Sequence, residues 1–249
     1  MSYFPDESYT VAVIGAASGI GREAAIFAAR EGARVFCLDR DIEGARATAD
    51  EIGRASSAHA LEVTDAPAAR RALESVVEAA GTLHALVNCA GITGKTNIKT
   101  HDVDLANFDA VYAVNLKGAL IVSQAVLPHM IARSYGRILH VASIAGKEGN
   151  AGMAAYSATK AGLIGLVKVM GKDYAESGIT INALAPAVIR TPMVDALPET
   201  QVKYMTDKIP MRRCGELDEA AAMIAWIVSP ACSFTTGFTF DLSGGRAVY

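Results

Sequence analysis

The feature that most constrains the fold of this 249-residue chain is a regular alternation of short apolar runs with longer alanine-rich runs. Most of the short runs are nearly continuous in apolar residues, which is typical of strands buried on both faces. Such strands, separated by helices, predict an α/β fold with a doubly wound, seven-stranded parallel sheet and helices on both faces. The predicted strands are 9–14, 34–38, 58–62, 84–88, 137–141, 180–184 and 238–241.

The alanine-rich runs between these strands predict the helices. No linker rich in proline, glycine and serine interrupts the alternation, so we expect residues 1–249 to form a single domain. The irregular stretch 186–215 has several prolines and mixed polarity, and in a compact domain such a segment indicates a functional lid. The predicted helices are 19–30, 42–53, 67–80, 105–134, 154–176 and 218–228.

Composition narrows the classes of partner and compartment. The net charge of −3 gives no reason to expect nucleic-acid binding. No continuous apolar run approaches the ~18 residues of a membrane span, and the acidic first seven residues lack the order of a signal peptide. The four cysteines show no CxxC spacing, which favours a reduced, cytoplasmic setting, and the five dispersed histidines predict no metal site.

A glycine-rich loop joins the first predicted strand to the first predicted helix. It has the spacing G-x-x-x-G-x-G, with Gly15, Gly19 and Gly21, and includes Ser18 and Ile20. Small residues let the backbone approach a pyrophosphate, and the helix that follows offers free N–H groups and the positive end of its dipole. The loop therefore predicts a dinucleotide site, although glycine-rich turns alone are common.

An acidic residue ends the second predicted strand. Asp39 lies 18 residues after Gly21, where a carboxylate can accept hydrogen bonds from the adenosine ribose hydroxyls. It would repel a 2′-phosphate, so NAD is favoured over NADP. The adjacent Arg40 argues the other way, because a guanidinium can pair with that phosphate. Both residues could also simply begin a polar loop.

The stretch YSATK places Tyr156 four residues before Lys160, on one face of the helix predicted there. Such a pair is either a solvated surface pair or an acid–base couple. The pair alone does not decide between the two.

Six motifs in order resemble those of the short-chain dehydrogenase/reductases in their single-domain, Rossmann-fold form. They are the glycine loop, Asn88-Cys89-Ala90-Gly91, Asn115 in VNLKG, Ser143 in HVAS, Tyr156-x-x-x-Lys160 and Pro186-Ala187-x-Ile189-x-Thr191. The resemblance implies that Asn115, Ser143, Tyr156 and Lys160 are catalytic. It also implies that the cofactor is held by Gly15, Ser18, Gly19, Ile20, Gly21, Asp39, Arg40, Glu62, Val63, Asn88, Ala90, Gly91, Tyr156, Lys160, Pro186, Ile189 and Thr191.

The resemblance also implies a chemistry, namely hydride transfer between a nicotinamide and a secondary alcohol or ketone. In that chemistry Tyr156 exchanges the proton at the substrate oxygen, and a nearby Lys160 ammonium is expected to lower the phenol's pKa. Ser143 is expected to donate to the substrate oxygen, and Asn115 to break its helix and hold a water. Three positions depart from the family pattern: Ile14, Glu62 and Ala187.

The substrate is less constrained than the chemistry. Polar residues expected near it suit a small hydroxylated or carboxylated molecule, and the tail 233–249 resembles tails of family members that act on sugars and sugar acids. The runner-up is a 3-oxoacyl-acyl-carrier-protein reductase, with Arg133, Arg137 and Lys172 as a basic patch for the carrier. A catalytically silent nucleotide sensor is a third alternative. The polar residues expected at the substrate are Thr93, Lys95, Lys147, Glu148, Asn150 and Arg190.

The two longest predicted helices suggest self-association. Both have more apolar positions than one sheet face can cover, which predicts a seam against a second copy and, with a second contact through the tail, a homotetramer. The alternative is that these residues pack within one subunit. The residues expected in the seam are Ala119, Leu120, Val122, Ser123, Val126, Leu127, Leu163, Leu166, Val167 and Met170.

Overall fold

A single seven-stranded parallel sheet forms the centre of the molecule. The computed structural model describes residues 2–53, 56–247 and 249; Met1, Arg54, Ala55 and Val248, which the predicted domain and tail include, lie outside the described residues. The strand order is β3-β2-β1-β4-β5-β6-β7, as predicted for a doubly wound sheet. The strands are β1 Thr10–Ile14, β2 Arg34–Asp39, β3 Ser57–Ala60, β4 Ala85–Asn88, β5 Gly136–Val141, β6 Ile179–Pro186 and β7 Thr239–Leu242.

The helices follow the predicted order with three differences. The predicted helix 105–134 contains a π-helical turn at Ala113–Lys117, a short helix follows β5, and two helices lie in the predicted lid. The π turn and the short helices escape prediction because the 3.6-residue period reports only regular helices of several turns. The helices are α1 Gly19–Arg30, α2 Ile42–Ile52, α3 Ala66–Ala80, α4 Leu105–Tyr112, α5 Gly118–Arg133, α6 Ile144–Glu148, α7 Ala154–Asp173, α8 Pro192–Asp195, α9 Glu199–Thr206 and α10 Leu217–Ile227.

Two apolar layers sandwich the sheet. One layer holds buried residues of α3, α5 and α7, and the other holds those of α1, α2 and α10. Because every strand pair is parallel, all seven carboxyl ends lie at one edge of the sheet, which we call the carboxyl edge. The glycine loop, Asp39, the residues after β4, Ser143 and the start of the lid follow strands at this edge, so the topology gathers them into one region.

Local hydrogen bonds explain where several helices begin. The side chains of Asp41, Asp65 and Asp104 accept from backbone N–H groups in the first turns of α2, α3 and α4. Helix α10 begins with a capping box between Glu216 and Glu219. These helix starts are encoded locally, which is why their prediction from sequence is close.

The continuous helical segment 105–133 bears on the expectation that nothing in the chain could span a membrane. By length and composition alone, this segment is long and apolar enough to cross a membrane. Half of its most apolar 18-residue stretch is buried inside the fold. The sequence-based statement considered only uninterrupted apolar runs and missed this segment. Core helices of soluble proteins pass the same test.

The residues expected to form a seam between subunits lie mostly inside one subunit. Of the ten named from the sequence, only Leu120 is exposed and Leu166 is half-buried, so that part of the prediction is wrong. These residues of α5 and α7 pack, together with those of α3, against one face of their own sheet. Other apolar side chains remain exposed on α4, α5, α7, α10 and the tail: Leu105, Tyr112, Ile131, Val169, Trp226, Phe234 and Phe238.

Candidate active site

The glycine loop lies at the carboxyl edge with its backbone close to β2 and β4. Gly15 has a left-handed φ of 83°, and its N–H donates to the Leu38 carbonyl at 2.8 Å. A Cβ at Gly15 would lie 3.0 Å from the Ala90 nitrogen, and one at Gly21 would overlap the Gly15 carbonyl. Both positions therefore require glycine. Within the described residues the Ser18 hydroxyl makes no cap hydrogen bond to α1, so the first-turn N–H groups face the cleft.

Asp39 lies between the glycine loop and the next turn. Its carboxylate accepts from the N–H groups of Ala17 at 3.0 Å and of Asp41 at 3.0 Å. The side chain is half-buried beside the cleft, while Arg40 is exposed. Two backbone donors thus fix a negative charge next to the loop, where the sequence predicted a ribose contact.

Glu62 and Val63 follow β3 on the same side of the cleft. The Glu62 carboxylate accepts from the N–H and the hydroxyl of Thr64, at 3.1 and 3.0 Å. Val63 is buried, and a Cβ added at Gly118 would lie 2.9 Å from it. Both residues line the cleft, as expected for contacts with an adenine.

A turn after β4, residues 88–91, separates the glycine loop from the Lys160 side chain. The Asn88 amide oxygen accepts from the Ala90 N–H at 3.2 Å, which holds the turn closed. A Cβ added at Gly91 would lie 3.3 Å from the Lys160 ammonium nitrogen and 3.4 Å from the Asn115 amide oxygen. The turn therefore joins the predicted cofactor side to the predicted catalytic side.

Lys160 and Tyr156 share one face of α7, as predicted, and burial shifts the pKa of each. The Lys160 ammonium donates to the Val141 carbonyl at 2.6 Å and lies 5.7 Å from the Tyr156 ring centre. Burial lowers the pKa of Lys160 to about 8, with a small opposing effect of Cys89. Burial raises the pKa of Tyr156, and the Ser143 hydroxyl hydrogen-bonded to it lowers that pKa in part. Burial is therefore the largest influence on the Tyr156 pKa in this arrangement, and the expected lowering of that pKa by Lys160 stays a prediction.

Ser143 is nearly buried beyond the end of β5 and begins α6. Its hydroxyl oxygen accepts from the Ala145 N–H at 3.1 Å, which fixes the side chain beside Tyr156. Helix α6 packs on α7 at Gly146, where a Cβ would lie 2.6 Å from the Lys160 carbonyl carbon. This close packing brings Ser143, Tyr156 and Lys160 together.

Asn115 lies in the π turn between α4 and α5, so the predicted interruption of this helix is present. Its side chain is buried and pairs with the Ile92 backbone, accepting from the N–H at 2.8 Å and donating to the carbonyl at 2.9 Å. A second donated bond reaches the Thr159 hydroxyl at 3.3 Å. The π turn widens the helix at the residue that contacts both the turn after β4 and α7.

The predicted lid is attached at a narrow base. Ile189 is buried and forms a bridge with Gly215, where the Arg190 N–H donates to the Gly215 carbonyl at 2.7 Å. Pro186 ends β6, and Thr191 lines the cleft with its methyl group 4.0 Å from a Cβ position at Gly19. The start of the lid therefore lies over the glycine loop, as the predicted cofactor contacts require.

Most polar residues expected at the substrate have partners within the chain. Lys147 pairs with Asp241 at 3.1 Å, and Arg246 bonds Glu148 at 2.9 Å and Asn150 at 3.0 Å. Lys95 pairs with Asp104, and Arg190 lies within 4 Å of Asp195 and Glu216. Through these bonds Lys147, Glu148 and Asn150 attach the tail to α6, and the substrate lining expected from the sequence stays a prediction.

The basic patch expected for an acyl carrier protein does not form. Arg137 is buried, donates to the carbonyls of Gly136 and Gly178, and stacks on Tyr135 at 4.5 Å. Arg133 and Lys172 are in the last turns of α5 and α7, at the sheet edge opposite the cleft. The prediction for Arg137 is wrong because this residue lies in the buried strand β5. In the sequence it appears only as a charged residue beside an apolar run.

The sequence analysis missed two groups near the site. His140 and Ser123 are fully buried and hydrogen-bond to each other at 2.9 Å, and His140 also contacts Asn88 at 3.1 Å. The available signal was a histidine in the middle of an apolar strand, which requires buried partners. Which residues serve as these partners depends on the strand and the helix that pack against β5.

A cleft of about 440 Å³ joins these parts into one site. Its walls come from the glycine loop, Asp39, the turn after β4, Val141 and the start of the lid. Backbone N–H groups and close glycines suit a pyrophosphate. Lys160 lies just behind the cleft wall, where it donates to the carbonyl of the lining residue Val141, and it brings Tyr156 and Ser143 beside the cleft as proton donors. Among the described residues, no group of three or more His, Cys, Asp or Glu side chains is arranged to hold a metal ion.

Comparisons with known proteins agree with this arrangement. The sequence model of the family described as short chain dehydrogenase matches residues 9–202. A 2-dehydro-3-deoxy-L-rhamnonate dehydrogenase (NAD(+)) from Sphingomonas sp. (strain SKA58) is 43% identical and covers 95% of this chain and 94% of its own length. A 3-oxoacyl-[acyl-carrier-protein] reductase from Thermotoga maritima is 36% identical, covering 95% of this chain and 96% of its own. The crystal structure of gox2181 matches with a TM-score of 0.94 at 29% identity, covering 99% and 98% of the two chains.

Proposed function

The chain belongs to the short-chain dehydrogenase/reductase family and is an oxidoreductase, and on that premise we propose that it is an NAD-dependent sugar-acid dehydrogenase. The reaction would interconvert a secondary alcohol and a ketone on a small polar substrate. The observation that carries the proposal is the convergence of Ser143, Tyr156 and Lys160 behind Val141, a residue that lines the same cleft as the glycine loop.

The residues of the cleft fit a nicotinamide dinucleotide. Gly15 and Gly21 let the backbone approach closely, and the first turn of α1 offers N–H groups for a pyrophosphate. When bound, the nicotinamide supplies or accepts the hydride. The chain itself would bind the ribose hydroxyls at Asp39, exchange the proton at the substrate oxygen through Tyr156, and donate to that oxygen from Ser143.

The preference for NAD rests on the charge at Asp39. Its carboxylate is held in place by the N–H groups of Ala17 and Asp41, so it cannot turn away from a 2′-phosphate without losing both bonds. A phosphate beside it would bring two more negative charges to one site. Arg40 also lines the cleft and is exposed, and its guanidinium is the group that would argue for NADP. The NAD-dependent relative supports the same preference.

The substrate class rests on the relative that is 43% identical over nearly the whole chain, whose substrate is 2-dehydro-3-deoxy-L-rhamnonate. We propose that a deoxy keto sugar acid of that kind is the substrate or the product of this reaction. The 3-oxoacyl-carrier reductase is a weaker candidate, because its relatives are less similar and the expected basic patch contains the buried Arg137. The silent sensor is weaker still, because a sensor has no use for a Ser143–Tyr156–Lys160 cluster.

The proposal includes an assembly and a compartment. Apolar side chains are exposed on α5 and α7, such as Leu120 and Val169, and at α10 and β7, such as Trp226 and Phe238. Covering both regions with other copies of the chain would give a homotetramer. All four cysteines are free thiols, and three of them are buried, which supports a reducing cytoplasmic setting. The buried half of the segment 105–133 supports a core helix without a membrane.

A substrate panel tests the function. The purified enzyme would be assayed with 2-dehydro-3-deoxy-L-rhamnonate, other sugar acids, simple secondary alcohols and a 3-hydroxyacyl thioester, each with NAD and with NADP. We expect the highest kcat/KM for a sugar acid with NAD, and no turnover by the Tyr156→Phe variant in the same assays. A highest kcat/KM for the thioester with NADP would establish the runner-up instead, and binding of NAD without any turnover would favour the sensor.

A further inference from the structure

We propose that His140 is a positioning residue that holds the turn 88–91, and with it the cofactor, by a buried chain of hydrogen bonds running from that turn to α5. The inference rests on the proposed use of a nicotinamide dinucleotide in the adjacent cleft. His140 touches neither the cleft nor the proton-transfer residues directly, so its effect must pass through Asn88.

The chain of hydrogen bonds is continuous, and its members Asn88, His140 and Ser123 are buried. Asn88 and His140 are paired residues on the neighbouring strands β4 and β5. The Asn88 amide nitrogen lies 3.1 Å from His140 Nδ1, and His140 Nε2 lies 2.9 Å from the Ser123 hydroxyl. The Ser123 hydroxyl donates to the Ala119 carbonyl at 2.8 Å, and the Ala90 N–H donates to the Asn88 amide oxygen at 3.2 Å.

The roles of donor and acceptor follow from the two ends. The hydroxyl of Ser123 uses its hydrogen on Ala119, so it must accept from His140, which puts the imidazole proton on Nε2. His140 Nδ1 is then an acceptor, and the Asn88 amide nitrogen donates to it. This leaves the Asn88 oxygen facing Ala90. Every bond points the same way along the chain, and removal of one member reverses or breaks its neighbours.

The environment of His140 keeps the ring neutral, as this arrangement requires. The imidazole is completely buried, and burial together with the nearby Lys160 ammonium lowers its pKa to about 3. A second proton on Nδ1 would face the donating Asn88 nitrogen. Asn88 would then have to turn its amide and present its nitrogen to the Ala90 N–H, which breaks the bond that closes the turn.

The turn 88–91 leaves little room for movement. The Ala90 nitrogen and the Cys89 carbonyl carbon each lie 3.0 Å from the Cβ position of Gly15, and Gly91 packs within 3.4 Å of Lys160 and Asn115 by the same measure. A shift of the turn by a few tenths of an ångström would therefore reach both the glycine loop and Lys160. Because of this close packing, we expect substitution of His140 to change the affinity for the cofactor more than other properties of the enzyme.

The test compares three variants for NAD binding by calorimetry and for exchange of the Ala90 amide by hydrogen–deuterium exchange. His140→Leu removes both bonds, and we expect the Kd for NAD to rise about tenfold or more and the amide to exchange faster, since one tenfold change corresponds to about 1.4 kcal/mol. His140→Asn retains an acceptor toward Asn88 and should recover most of the affinity. Ser123→Ala should give an intermediate effect.

Ile138→Ala is the matched control. Ile138 is buried on the same face of β5, two residues before His140, and contacts neither Asn88 nor Ser123 by a hydrogen bond. We expect it to lower the Tm while leaving the Kd for NAD within about twofold. The proposal is wrong if folded His140→Leu binds NAD as the natural enzyme does, or if Ile138→Ala weakens binding equally. Failure of the natural enzyme itself to bind NAD or NADP would instead contradict the proposed function.

Discussion

At the scale of single residues, the side chains around Tyr156 are set more by burial than by charge pairing. Burial raises the pKa of the Tyr156 phenol and lowers that of the Lys160 ammonium to about 8. Both shifts favour the neutral form of each group. In this arrangement Tyr156 is a proton donor, which is the role it needs when a ketone is reduced. Oxidation of an alcohol requires the opposite transfer, in which Tyr156 is first deprotonated and the phenolate then accepts the proton of the alcohol hydroxyl.

Tyr156→Phe is expected to remove this proton transfer alone. The phenyl ring keeps the packing on α7, so NAD binding should remain within about twofold while kcat falls by about 10²–10⁴-fold, the usual contribution of a general acid or base. Steady-state kinetics with the best substrate, together with an NAD titration, measure both quantities. A folded variant with nearly normal kcat would show that the proton comes from elsewhere.

Asp39→Asn is expected to weaken the cofactor preference. The natural enzyme should favour NAD over NADP at least about tenfold in kcat/KM, equivalent to about 1.4 kcal/mol. The amide keeps an acceptor for the Ala17 or Asp41 N–H but removes the charge, so the ratio should fall toward one. Asp41→Asn, which changes only the cap of α2, is the control and should keep the preference. Equal use of both cofactors by the natural enzyme would contradict the assignment.

His140 also makes an acid-sensitive contribution to stability. Its pKa in the folded chain is about 3, below the value of about 6.5 in an unfolded chain, so the unfolded state binds the extra proton first as pH falls. Stability is therefore complete above pH ~6.5 and is lost progressively toward pH ~3. Relative to His140→Asn, which does not titrate, we expect the natural enzyme to lose about 2 kcal/mol between pH ~7 and pH ~5.

Urea unfolding at these two pH values measures the difference. The other histidines titrate in both proteins and cancel from the comparison. A pH-independent difference between the two proteins would mean that His140 is protonated as readily in the folded state as in the unfolded chain.

At the scale of elements, the π turn Ala113–Lys117 connects the predicted cofactor side of the site with the predicted catalytic side. It lies between α4 and α5 and directs Asn115 onto the Ile92 backbone, next to Gly91 and Thr159. A π turn interrupts the regular hydrogen bonds of the helix, and here it directs the Asn115 side chain to partners outside the helix. The helix therefore changes its geometry where the turn after β4 and α7 meet.

Asn115→Asp is expected to destabilise this junction. A carboxylate can accept from the Ile92 N–H but cannot donate to the Ile92 carbonyl, so a buried acceptor loses its partner at a cost of about 1–3 kcal/mol. Asn107→Asp on α4 is the control, since the exposed Asn107 oxygen accepts from the Lys95 N–H and can still do so. That change should stay within about 0.5 kcal/mol. Equal unfolding free energies for both variants would show that the Asn115 donor is not needed.

At the scale of the whole molecule, the proposed tetramer uses two surfaces, one on α7 and one at α10 and the edge strand β7. Val169 is 55% exposed on α7, and Phe238 is 53% exposed beside the edge strand β7. Trp226 and Phe240 pack edge-to-face next to Phe238, which enlarges the second surface. Apolar surfaces and an unpaired sheet edge of this kind are usually covered by another copy of the chain.

Light scattering tests the proposed tetramer. We expect a mass about four times that of the 26.0 kDa chain, with two perpendicular twofold axes. Val169→Glu and Phe238→Glu should each give dimers, because each places a charge in one of the two surfaces. Met211→Glu, at an exposed position in the lid, should remain a tetramer. A natural enzyme with the mass of one chain would rule out both surfaces, and a stable dimer would rule out one.

Local patterns in the sequence determined the order of strands and helices and the positions of the chemical motifs. The glycine loop, Asp39 and the Tyr156–Lys160 spacing could be identified because each depends on residues close together in the chain and on the end of one strand. Parallel pairing then brings all strand ends to one edge, so motif order alone implied a shared site. Burial periodicity gave the two apolar layers for the same reason.

Only the tertiary structure decided which partner each polar group has. His140 meets Asn88 across 52 residues, Arg246 meets Glu148 across 98, and Arg137 is buried rather than part of a surface patch. Residues so far apart become neighbours through strand pairing and helix packing, which periodicity does not report. The Tyr156 pKa is of the same kind, because the extent of its burial depends on α6 packing against α7 at Gly146.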